Sequence, residues 1–137
     1  MVGGSYHVLI KKVDLRNMKI LVLGAFGMAG HTVALYFKEQ GYEVHAFARR
    51  PFPYCMWIQG DAFDIENLKT IVTTGRYDVV INCIGLLNQF AENNKAMAVL
   101  LNGYLPHYLV EITKDTKTRV IHMSTDCVFA GNDGPYD

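Results

Sequence analysis

Three glycines, Gly24, Gly27 and Gly30, stand at the spacing G-x-x-G-x-x-G directly after the apolar run Ile20 to Leu23. Glycine at the first position permits a tight turn. At the second it lets a diphosphate approach the backbone, and at the third it lets a helix pack closely on a strand. Phe26 and Met28, between the glycines, are then candidate contacts of the same ligand. Such glycines also serve ordinary turns. The preceding strand and following helix turn the reading toward a dinucleotide, held by the free N–H groups of a helix N-terminus.

Other residues could complete that site. Arg49 and Arg50 follow the second expected strand, where an acid would accept from a ribose 2′-hydroxyl and select NAD. Two guanidiniums suit a 2′-phosphate instead, so NADP is preferred over NAD; two solvated arginines at a strand end are the alternative. Asp61, with Ala62 beside it, could accept from an adenine amino group or simply make a turn. Cys83, Ile84 and Gly85 leave the fourth expected strand beside the cofactor. Ser124 and Thr125 follow the fifth. A Thr125 hydroxyl there could hydrogen-bond a substrate carbonyl, while Ser124 would touch the cofactor, unless both merely cap a loop.

Positioning these residues requires an alternation of strands and helices. Strands are expected at Ile20–Leu23, Glu43–Ala48, Met56–Gln59, Val79–Cys83 and Arg119–Met123. A first helix, carrying Val33, Leu35, Tyr36 and Phe37, should run to Gln40 and stop at Gly41. Asp64 should cap a helix over Ile65–Thr73. A long helical region from about Ala91 to Lys114 should bury Met97, Leu100, Leu101 and Tyr104. Gly103 and Pro106 predict a kink or break there, with Asn102 either satisfying freed backbone groups or taking part in chemistry. The alternation implies an α/β fold: a Rossmann-type, doubly wound parallel sheet in the order 3-2-1-4-5.

Composition sets outer bounds. The chain has 137 residues, half of them hydrophobic, with 13 basic and 13 acidic side chains, which suits one domain over 18–137. Residues 1–17, with Val8, Ile10 and Val13, read as an N-terminal extension. No basic run argues for nucleic acid, and no apolar run is long enough to span a bilayer. Three scattered cysteines, Cys55, Cys83 and Cys127, suggest a reducing compartment. The five dispersed histidines give no metal site, and His107 with Glu111 reads as a solvated pair.

The glycine turn, Asn82-Cys83-Ile84-Gly85, Asn102-x-x-x-Pro106 and the run Ser124 to Gly131 followed by Gly134-Pro135-Tyr136 resemble the extended short-chain dehydrogenase/reductase family. Within it, the chain is most similar to sugar-nucleotide reductases of the dTDP-4-dehydrorhamnose reductase type. The resemblance implies a cytoplasmic enzyme that reduces a nucleotide-linked 4-keto sugar with NAD(P)H, and it allows a homodimer. It matches Thr125 to the family's catalytic Ser/Thr and Asp126 to a polar active-site neighbour. Cys127 departs from the Tyr usual in the family. The family's Tyr-x-x-x-Lys pair, whose Tyr serves as general acid, would follow Tyr136. The chain is therefore expected to be the amino-terminal piece of a longer enzyme, truncated after the fifth strand, and to turn over nothing alone. An NAD-dependent epimerase or dehydratase, and a non-catalytic NADP-binding regulatory subunit, are the competing readings.

Overall fold

The computed structural model describes residues 17–86 and 88–124. Strands β1 (Lys19–Leu23), β2 (Glu43–Ala48), β3 (Met56–Gln59), β4 (Val79–Asn82) and β5 (Arg119–His122) form one sheet in the order β3-β2-β1-β4-β5. All four pairings are parallel, with Ile20 opposite Val44 on one side and Val79 on the other. The expected order is the observed one. β4 and β5 each end one residue early, although Cys83 still donates to the Leu23 carbonyl and Met123 to that of Asn82.

Side chains alternate across the strands, so both faces of the sheet carry a core. Leu21, Leu23, Phe47 and Val80 face helices α2 (Ile65–Thr74) and α5 (Leu105–Thr113) through Leu68, Val72, Leu105 and Leu109. Ile20, Val22, Val44 and Ile81 face helix α1 (Met28–Glu39) through Ala34, with Val33 and Phe37 at the margin. Tyr36 points away and is exposed. Among the described residues, no helix is long and apolar enough to cross a membrane.

The helix ends obey their sequence signals. Gly41 takes φ +92°, its N–H donates to Lys38 and that of Tyr42 reaches back to Phe37. The Phe37 and Tyr42 rings then meet edge-on at 5.4 Å, which completes a Schellman stop. At the start of α2, Asp64 Oδ1 accepts from the Asn67 N–H at 3.1 Å.

The long helical region is interrupted where Gly103 and Pro106 predict, but its buried face departs from expectation. It divides into α3 (Asn88–Asn93), α4 (Lys95–Ala98), a π-helical turn over Val99–Tyr104 and then α5. The Leu105 N–H bonds to the Leu100 carbonyl, five residues back, so the hydrogen-bond ladder widens just before Pro106, which sits in the first turn of α5. An extra residue per turn rotates the succeeding helix by roughly 100°. The buried stripe becomes Leu101, Leu105 and Leu109, while Met97 and Tyr104, expected inside, are exposed. Glu111 pairs with Lys114 at 2.7 Å on the outer face.

The amino end of the sheet is closed by a polar cluster. His45, buried on β2, donates from Nε2 to Glu43 at 3.0 Å and accepts at Nδ1 from the Tyr77 hydroxyl at 2.8 Å. Lys19 lies 4.9 Å from the centre of the Tyr77 ring and donates to the Gly75 carbonyl. Burial, with the Glu43 carboxylate adding to it, pushes the Tyr77 phenol up to about 12 from its ordinary 10.0. The folded chain therefore keeps this proton where the unfolded chain loses it. Its stabilising contribution is complete below pH 10 and lost as pH rises towards about 12. Urea midpoints should fall across that window, and Tyr77→Phe should flatten the fall; an unchanged slope would refute the assignment.

Candidate active site at the carboxyl end of the sheet

β1 runs straight into a turn that only glycines can build. Gly24 has φ +80°, and a Cβ there would stand 3.0 Å from the Ile84 side chain and 3.1 Å from the Cys83 backbone. The Gly24 N–H donates to the Phe47 carbonyl, and its own carbonyl accepts from Gly27. A Cβ on Gly30 would lie 2.0 Å from that carbonyl, so the third glycine is needed for helix α1 to sit on the turn. Gly27 is different. Only one atom, the Gly24 carbonyl oxygen at 3.4 Å, would be within contact of a Cβ on it.

Gly27 is also the N-cap of α1, and it supplies no side-chain hydrogen bond to the first turn, which contains no acid. The first N–H groups of α1 lack intrahelical partners by construction. Gly27, where they begin, lines a cleft of about 730 Å³ at the carboxyl ends of the strands. The cleft brings together Gly24, Phe26, Gly27, Arg49, Arg50, Asp61, Ala62, Cys83, Ile84 and Gly85, all of them expected there from the sequence.

The remaining candidates do not line it. Met28 is almost fully exposed, Gly30 is buried beneath the turn, and Ser124 lies exposed beyond β5. Thr125 and Asp126 lie outside the described residues. Phe47, Gly60, Phe63, Leu86, Met97 and Leu101 line the cleft without having been singled out. Met97 and Leu101 belong to a helical stripe that reads as core. Gly60 is tied to Phe47, whose ring a Cβ on Gly60 would meet at 2.2 Å, and no sequence signal links the two.

Polar groups around the cleft divide into committed and free ones. Asp61 Oδ1 accepts from the Phe63 N–H at 3.0 Å, so one carboxylate oxygen makes the turn. Asn82, fully buried, accepts from the Ile84 N–H and pairs through Nδ2 with His122 at 3.2 Å, which joins the ends of β4 and β5. Asn102 does satisfy backbone groups, but those of the loop after β4 rather than of its own helix. Its Oδ1 accepts from the Leu86 N–H and its Nδ2 donates to the Leu86 carbonyl, both at 2.8 Å. Burial raises the Cys83 thiol, which favours its neutral form and a packing role over a nucleophilic one. Arg49 and Arg50 are exposed, and among the described residues neither has a carboxylate partner.

A positive helix terminus, an open glycine and two guanidiniums without a carboxylate partner among the described residues fit a phosphorylated ligand. The family profile of the RmlD substrate binding domain matches residues 18–137. The chain belongs to this family. It is 33% identical over 124 residues to a probable low-salt glycan biosynthesis reductase, Agl14, of Haloferax volcanii, covering 88% of this chain and 41% of that protein. It is 30% identical over 120 residues to the dTDP-4-dehydrorhamnose reductase of Mycobacterium tuberculosis, covering 87% and 36%. The chain thus spans about two-fifths of the length of these relatives. Among solved structures, MoeE5 in complex with UDP-glucose and NAD superposes with a TM-score of 0.68 at 23% identity, covering 85% of this chain and 39% of that one, a likeness of fold.

In this RmlD-family chain, the Asn102 side chain is what pins Leu86 beside the cleft. Asn102→Ala should cost about 1 kcal/mol and speed hydrogen exchange of the Leu86 amide. Unchanged exchange at that amide would show that the clamp does not hold the loop.

Proposed function

We propose that this chain is the cofactor-binding part of a cytoplasmic, NADPH-dependent reductase of a nucleotide-linked 4-keto sugar. The observation that carries the reading is the open face of Gly27 at the uncapped start of α1, on the rim of a cleft that Arg49 and Arg50 also line. A side chain at Gly27 would occupy space a diphosphate needs, whereas the protein itself leaves that space unfilled. The α1 N–H groups would bind the diphosphate, the arginines would take a ribose 2′-phosphate, and Asp61 would accept from the adenine amino group. Apolar Ile84 and the Leu86 backbone would bound the far end of the cleft.

The bound cofactor would supply a hydride to the sugar carbonyl. Thr125 would donate a hydrogen bond to that carbonyl oxygen, with Asp126 as its polar neighbour, and Ser124 would contact the cofactor. The ligands of MoeE5 and the names of the two reductases support a nicotinamide dinucleotide and a sugar nucleotide as the ligand classes. The two free thiols among the described residues, Cys55 and Cys83, support a reducing compartment. The rest of the sugar site is assigned to the portion of the relatives outside the match.

Gly27→Ala tests the reading, because a Cβ there would meet only the Gly24 carbonyl oxygen, at 3.4 Å. It should lower NADPH affinity about tenfold or more, measured by nicotinamide fluorescence, while the urea midpoint stays near that of the parent. Full NADPH affinity in the variant would place the cofactor elsewhere.

A further inference from the structure

One group of contacts at the cleft mouth reaches from the glycine turn to the connection after β2. Phe52, in the connection between β2 and β3, is buried, and its ring meets Phe26 edge-on at 5.5 Å. It also meets His31 at 5.7 Å and Tyr54 at 5.4 Å, and those two rings touch each other. The backbone around them is fixed as well. Trp57 Nε1 donates to the Ala48 carbonyl at 3.0 Å, and Lys38 Nζ donates to the carbonyl of Tyr54. Phe26 is therefore set in place by a core residue rather than by solvent.

On the ring of Phe26 rests Arg50, its guanidinium carbon 4.3 Å from the centroid. Arg49 has no ring or carboxylate partner among the described residues. A guanidinium lying over an aromatic face is held by the ring's quadrupole, and its N–H donors stay in plane, available for an oxyanion. An arginine already held loses less side-chain freedom when it binds.

We infer that Phe26 is a positioning residue for cofactor choice: its ring holds Arg50 ready for the ribose 2′-phosphate monoester, and Arg49 contributes less. This rests on the proposed NADPH site. The contact lies between the glycine turn and the end of β2, so it links the diphosphate corner to the group that distinguishes the two cofactors.

The test uses the full-length protein and titrates NADPH and NADH into the parent, Phe26→Leu, Phe26→Tyr, Arg49→Ala, Arg50→Ala and the Phe26→Leu/Arg50→Ala pair. The readout is the ratio of the NADH Kd to the NADPH Kd. Phe26→Leu should lower that ratio about fivefold, Phe26→Tyr should retain it, and Phe26→Leu should add nothing once Arg50 is gone. Phe26→Met, which keeps apolar contact with Phe52, replaces the leucine variant if the latter does not fold. An effect of Arg50→Ala with none from Phe26→Leu overturns the platform and leaves the NADPH reading standing. An equal effect of Phe26→Leu with and without Arg50 also overturns the platform. An unchanged ratio in both arginine variants overturns the NADPH reading and the platform with it.

Discussion

Helix α1 can rest on the end of β1 only because nothing projects from Gly30. The carbonyl of Gly24 fills the place a Cβ would take, and Gly24 itself is wedged against Ile84 and Cys83. This close approach sets the distance between the first helix and the two central strands. It also aims the start of α1 at the cleft, so that the partial positive charge of its N-terminus faces the ends of the strands. A larger residue at Gly30 would have to lift the helix, and both the core contact through Ala34 and the direction of the free N–H groups would change together. Stability and the binding surface are thus fixed by one contact.

The two ends of the sheet handle polarity in opposite ways. At the amino end, a polar cluster is paired within the protein: Lys19 with Gly75, Asp78 with the Lys19 N–H, and His45 between Glu43 and Tyr77. At the carboxyl end the scaffold groups are satisfied too, as Asn82 and Asn102 show. Yet the α1 N-terminus and the Arg49 and Arg50 guanidiniums have no anionic partner among the described residues. In a parallel α/β sheet, ligands gather at the carboxyl ends of strands.

Much of this was legible in the residues. β2 and β3 have the bounds their apolar patterns give, because polar and glycine or proline punctuation closes each short run. The glycine turn was legible because each of its positions has a separate steric reason. In the helical region from Met97 to Tyr104, Leu101 was legible as buried, but the exposure of Met97 and Tyr104 was not. A π turn leaves no periodic signature of its own, and it shifted the buried stripe to Leu101, Leu105 and Leu109. Asn102 was readable as a residue serving backbone groups, but its partner lies 16 residues away, across a loop that spacing cannot place.

The cleft shows the same division between local and distant information. Ten of the expected residues line it because they sit on turns next to strand ends, where topology alone brings them together. Two contacts at its lining, Phe47 against Gly60 and Phe26 beneath Arg50, join segments with no common pattern. Arg49 and Arg50 look equivalent as adjacent guanidiniums after a strand. Only the fold distinguishes them, by placing an anchored ring under one and none under the other. Sequence spacing locates a charge near a ligand, while packing against a core residue determines whether that charge is held before the ligand arrives.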